Sequence, residues 1–137
     1  MEEKKKVGTA CRTLNQIRHS KASGSAFEYD IQYSLTKMYP DIYLTKQRGF
    51  QLMYDVQTDE GKMVIECKRL KGISWNTLVK LYDKLQQVKP VGYWGIIAFK
   101  SNQQPCLIYN GHTIKTFEDY FELPFLKHEP VKRCTLQ

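Results

Sequence analysis

The chain has 137 residues, of which 42% are hydrophobic, 26% charged and 12% aromatic. That is enough apolar material for one globular domain and too much for a disordered segment. Lys and Arg number 21 against 14 Asp and Glu, a net +7, which suits a polyanionic partner such as DNA or RNA. No apolar run of about 18 residues offers a membrane span, and Met1-Glu2-Glu3-Lys4-Lys5-Lys6 is followed by no apolar leader, so an intracellular protein is expected.

The charge is uneven: +4 over residues 1–21, +2 over 127–137 and only +1 over 22–126. Residues 1–22 carry few large apolar side chains and read as a flexible basic N-terminal arm. Ser23-Gly24-Ser25 is a helix start in which serine can cap free backbone N–H groups. Phe27, Ile31, Leu35 and Met38 then recur at helical spacing as one buried stripe. Tyr39-Pro40 ends that helix, because proline disfavours helical backbone in the residue before it.

Residues 42–46 read as a short strand and 50–57 as a second, with a turn at Arg48-Gly49. Asp59-Glu60-Gly61 is a hairpin-type turn into a third strand over 62–69. Its run Met63-Val64-Ile65 fits a central strand covered on both faces. Ser74 caps a second helix with Trp75, Leu78, Leu81, Tyr82, Leu85 and Val88 inward, and Pro90 lies beyond its end. Residues 93–99 form a fourth strand and 106–109 a fifth. Asn110-Gly111 turns the chain toward 113–115, and a last helix covers about 116–121. Pro124 and Pro130 mark an irregular tail, basic over 127–137. The class is α/β, helices layered on a central mixed sheet.

The cysteines, Cys11, Cys67, Cys106 and Cys134, are too widely spaced for a zinc ribbon or a disulfide framework and read as reduced thiols. His19, His112 and His128 share no metal spacing. Trp75 and Trp94 are expected in the core.

The informative stretch is Asp55 followed by Val64-Ile65-Glu66-Cys67-Lys68-Arg69. Strand side chains alternate between faces, so Val64, Glu66 and Lys68 share one. Pairing of the second and third strands brings Asp55 near Glu66. A carboxylate and an amine on an apolar strand are costly to bury unless paired or bound. Two adjacent carboxylates repel each other, and a divalent cation relieves the repulsion. Magnesium favours such oxygen donors. The alternative is a surface ion cluster of little energetic weight, which the apolar neighbours weaken.

Asp55, ten residues, then Glu66-Cys67-Lys68 resembles the signature of the PD-(D/E)XK nuclease superfamily, with Tyr54 standing where the signature has proline. The resemblance implies a restriction-endonuclease-like core of helix, three strands, helix and strand, here residues 25–99 within a domain spanning 23–126. At about 100° per residue, Glu28 falls on the rim of the first helix's stripe. Gly24-Ser25-Ala26-Phe27-Glu28 is similar to the Holliday-junction resolvase branch of archaea, their viruses and phages, which carries an additional active-site glutamate there. The other reading of Glu28 is a first-turn acid favoured by the helix dipole. Asp30, off the stripe, reads as solvated.

The resemblance implies a Mg2+-dependent endodeoxyribonuclease, with Mn2+ a substitute. Asp55, Glu66 and the carbonyl of Cys67 would hold the metal, Glu28 would assist, and Lys68 would handle the nucleophilic water. It also implies branched DNA as substrate and a homodimer, because a four-way junction presents two equivalent strands. Lys46, Arg48, Arg69 and Lys71 flank the site as phosphate contacts. Gln86 edges the second helix's stripe; assistance in catalysis and a plain hydrogen-bonded glutamine are both open. The alternatives in function are another nuclease of this type in repair, recombination or restriction, and a catalytically silent nucleic-acid-binding module.

Overall fold

The computed structural model describes residues 26–49, 54–69 and 71–129. The proposed N-terminal arm, Cys11, His19, Cys134 and residues 130–137 of the tail lie outside the described residues.

The first helix, α1, covers residues 26–35. Phe27, Ile31 and Leu35 are buried along it. Met38 is 41% exposed and not part of the stripe as expected. The helix stops a turn early: Met38 N–H and Tyr39 N–H both donate to Leu35 O, at 3.1 and 2.8 Å, ahead of Pro40. The chain then runs through β1 (Tyr43–Leu44), a single 3-10 turn (Thr45–Arg48), β2 (Val56–Thr58) and β3 (Met63–Arg69). The expected strand over 42–46 is therefore only two residues long. Thr45 ends it by turning its hydroxyl back to Tyr54 O at 2.8 Å and its N–H to Asp55 O at 2.9 Å.

The turn between β2 and β3 is organised from a distance. Asp41 Oδ1 accepts from the Thr58 hydroxyl at 2.6 Å, and Oδ2 from the N–H groups of Asp59 and Glu60 at 2.7 and 3.0 Å. Burial opposes ionisation of Asp41, but these donors outweigh it and hold the carboxyl below its usual range.

Ser74 caps α2 (Trp75–Val88), its hydroxyl accepting from Thr77 N–H at 3.2 Å. This helix is the crossover to β4 (Trp94–Lys100), which pairs in parallel with β3 along its whole length. Then come β5 (Leu107–Tyr109), β6 (Ile114–Thr116) and α3 (Phe117–Phe121). The sheet order is β1-β2-β3-β4-β5-β6, antiparallel except at β3–β4. At the β5–β6 turn Gly111 has φ +95°, and a Cβ there would lie 2.5 Å from the Tyr82 ring. Both conditions select glycine.

Two cores face the sheet. Phe27, Ile31 and Leu35 of α1 and Phe117 and Phe121 of α3 pack on Val56, Ile65, Ile96, Ala98 and Ile108. Leu78 and Leu85 of α2 pack on Val64, Ile97, Phe99 and Tyr109 on the other side. The result is a six-stranded mixed sheet between helices, an α/β fold as expected. Among the described residues no helix is long and apolar enough to cross a membrane.

Four expectations are corrected by long-range packing. Trp75 and Trp94 are 56% and 64% exposed rather than core: each is the first residue of its element, α2 and β4, and Trp75 meets the sheet edge-on at the Tyr109 ring, 5.4 Å between centroids. Asp30 is buried rather than solvated, and His128 does not stand alone. Asp30 Oδ1 accepts from His128 N–H at 2.8 Å and lies 2.7 Å from its Nδ1. Ser34 Oγ likewise donates to Leu126 O and accepts from its N–H, at 3.1 and 2.8 Å. Residues 126–128 are thus strapped along α1, and the residues that hold them lie on its second buried side.

Candidate metal centre

The site forms where β2 and β3 meet beneath the start of α1. Asp55 immediately precedes β2. Its N–H donates to Ile65 O at 3.0 Å, which continues the ladder, and its Oδ2 accepts from Cys67 N–H at 2.8 Å. The carboxylate is therefore fixed by the partner strand's backbone. β3 begins buried through Met63-Val64-Ile65 and becomes half-exposed from Glu66 onward. The candidate side chains Glu66 and Lys68 sit on that half-exposed segment.

The β2–β3 register sets Asp55 opposite Glu66, and its charge acts on the carboxyls of both Glu66 and Glu28. Glu66, with 16% of its side chain exposed, sits 3.5 Å from Lys68 Nζ through Oε2. Glu28, 18% exposed, reaches Lys46 Nζ at 3.2 Å through Oε1. Burial first, then repulsion by Asp55, pushes the Glu66 carboxyl up to about 8, and Lys68 offsets only part of this. Glu28 is raised for the same two reasons, with Lys46 pulling the other way. Three carboxylates thus share a half-buried corner with two ammonium groups, and the corner resists full ionisation.

Cys67 stays partly exposed as a residue and is a free thiol, as is buried Cys106. Burial and then the charges of Asp55, Glu28 and Glu66 push the Cys67 thiol well above its ordinary range, so it is a poor thiolate donor.

Of the expected site residues, the fold gathers Glu28, Asp55, Glu66 and Lys68. The expected phosphate contacts divide. Lys46 belongs to the carboxylate corner through Glu28. Arg48 lies over the Tyr43 ring, 3.7 Å from its centroid, and Arg69 donates to Asn102 Oδ1 at 3.0 Å. Lys71 is exposed beyond the end of β3. Gln86 donates to Gly95 O at 3.3 Å, tying α2 to β4 as a structural glutamine. Sequence reasoning missed the Lys46–Glu28 pair, because a strand through residue 46 says nothing about α1.

The donor set fits a hard divalent cation. Among the described residues no three His, Cys, Asp or Glu side chains form a ready-made cage. Carboxylates are offered in pairs, Asp55 with Glu66 and Asp55 with Glu28, leaving other positions to backbone oxygen and water. Such a set would suit magnesium rather than zinc.

Comparison with family models, with curated proteins and with solved structures finds no match to this chain.

Proposed function

We propose that this protein is a magnesium-dependent DNA endonuclease of the PD-(D/E)XK type, acting on four-way junctions. The observation that carries the reading is that the β2–β3 register, continued by the Asp55 N–H bond to Ile65 O, sets Asp55 opposite Glu66, with Asp55 Oδ2 held by Cys67 N–H at 2.8 Å and Lys68 Nζ 3.5 Å from Glu66. The element order α1, β1, β2, β3, α2, β4 supports it, because it is the order of that superfamily's core.

Asp55, Glu66 and the Cys67 carbonyl would hold the magnesium. When bound it would supply positive charge at a phosphoryl oxygen and acidify a water. The chain's own groups do the rest. Cys67 N–H holds Asp55 in place, so that no side-chain ordering is needed when the substrate arrives. Lys68 Nζ donates to the attacking water and to a non-bridging phosphate oxygen, orienting the one and offsetting charge on the other. Glu28, already raised toward proton uptake by burial and Asp55, takes the water's proton at its carboxylate. One P–O bond to water forms as the P–O bond to the leaving oxygen breaks. Lys46, Arg48, Arg69 and Lys71 contact flanking phosphates and contribute salt-sensitive affinity. A homodimer would present two such sites to the two equivalent strands of a junction.

The test is incubation of a labelled four-way junction and a linear duplex with the full chain, in Mg2+ or Mn2+ and in EDTA. Metal-dependent paired nicks on the junction are expected. Equal cutting of both DNAs would make it a general nuclease instead. Tight binding with no cutting in either metal would leave a silent binding module and overturn the enzymatic reading.

A further inference from the structure

A cleft of about 490 Å³ opens beside the carboxylate corner, between α1, the 3-10 turn and the strapped segment around His128. It is lined by Tyr29, Gln32, Tyr33, Thr36, Gln47, His128 and Glu129, with no Leu, Ile, Val or Met among the described residues there. Two tyrosine rings, an imidazole and two amides suit a flat, polar, π-bearing group better than an alkyl one. The rings are preset. Tyr29 is braced by His128, centroids 5.4 Å apart, and by Lys46 Nζ, 5.2 Å from its centroid. The Tyr33 side chain is different: it is 40% exposed, and its ring has no partner among the described residues. The two amides are fixed as well, Gln32 Nε2 donating to Ile42 O at 3.2 Å and to Gln47 Oε1 at 3.3 Å.

We infer that this cleft receives an unstacked nucleobase from a DNA strand whose phosphate lies at the neighbouring carboxylate corner. Tyr33 supplies the stacking face and the glutamine amides meet polar edges of the base. Glu129 disfavours phosphate inside the cleft. Lys46 connects the two places, since it contacts both Glu28 and the Tyr29 ring, and it is where the base's own phosphate would sit. The inference rests on the nuclease reading for the identity of the ligand, and it narrows the substrate to DNA with unpaired or branch-point nucleotides.

The test is fluorescence anisotropy of the full chain in EDTA, where binding is read without cutting. The DNAs are a continuous duplex, a duplex with a single unpaired adenine, and the same duplex with an abasic residue in place of that adenine. The adenine duplex is expected to bind about tenfold more tightly than the abasic one, as one stacked base provides. Tyr33→Ala should erase that difference and Tyr33→Phe should keep it, while neither changes affinity for continuous duplex. Equal binding of adenine and abasic DNAs overturns the inference, and if metal-dependent nicking persists, the nuclease reading survives that result. A base preference in a protein that never cuts would sink the nuclease reading and leave the cleft standing. Competition by micromolar adenosine monophosphate without any preference among the DNAs would assign the cleft to a free nucleotide and overturn the strand-bound base.

Discussion

Replacing Glu66 by glutamine should make the metal-free protein more stable while removing its response to magnesium. In the folded chain the Glu66 carboxyl is held at about 8, against 4.5 for the free group. Below pH 4.5 both folded and unfolded states carry the proton and nothing is lost. As pH rises above that, the unfolded chain ionises while the folded one keeps its proton, so stability falls with pH until about 8 and then levels off. At about 1.4 kcal/mol per unit, the full shift sets a ceiling near 5 kcal/mol. Charge interactions in the unfolded chain and local relaxation absorb part of it, leaving about 2–4 kcal/mol at pH 8 and under about 1 kcal/mol at pH 5. Glutamine has nearly the same shape, has no charge to desolvate, and offers an N–H to Asp55 where the carboxylate repelled it. Urea denaturation of both proteins in EDTA at pH 5, 6.5 and 8 reads the difference. The variant's advantage should grow with pH, and millimolar Mg2+ should raise the midpoint of the wild type but not of the variant. An advantage equal at pH 5 and 8, or a variant less stable than wild type at pH 8, would refute the reasoning, because it would mean that Glu66 ionises freely in the fold.

Asp55→Asn should abolish cutting of a labelled junction in Mg2+ and leave DNA affinity in EDTA nearly unchanged; its amide oxygen still accepts from Cys67 N–H, and with the charge gone from beside Glu66 the thermal midpoint in EDTA should hold or rise. Lost DNA binding would make Asp55 a structural residue instead. Asp41→Ala removes three hydrogen bonds to the β2–β3 turn and should cost about 1–3 kcal/mol in urea denaturation at pH 7. Because the Asp41 carboxyl is held low in the fold, its contribution is present at neutral pH and is lost as pH falls through and below its free value of 3.8, so the variant and wild type should converge in acid. Deleting residues 1–21, which carry a net +4, should weaken DNA binding and flatten the slope of log affinity against log salt; an unchanged slope would remove the arm from the interface.

The parts of this molecule that were legible beforehand are those governed by short-range periodicity. The two-residue period of β3 put Glu66 and Lys68 on one face, and the short turn after β2 put Asp55 opposite. These three meet because strand pairing leaves a strand next to a tight turn little other choice of register. The four-residue spacing of Phe27, Ile31 and Leu35 placed α1 on the sheet in the same way, and its rim position brought Glu28 to Asp55. What escaped depends on contacts between residues far apart in the chain. Asp30 is read as solvated from its place off the apolar stripe, yet its partner His128 is 98 residues away, and no local pattern reports that the tail returns to α1. Trp75 and Trp94 follow from the opposite error: each sits where a buried stripe begins, and periodicity says which side of an element faces inward but not how far along it the next layer extends. Lys46 belongs with both failures. A strand would have carried it along the sheet edge, whereas Thr45 bonds to Tyr54 and Asp55 and converts the segment to a 3-10 turn that delivers the ammonium group to Glu28. The residue that couples the carboxylate corner to the aromatic cleft is therefore placed by a threonine hydroxyl.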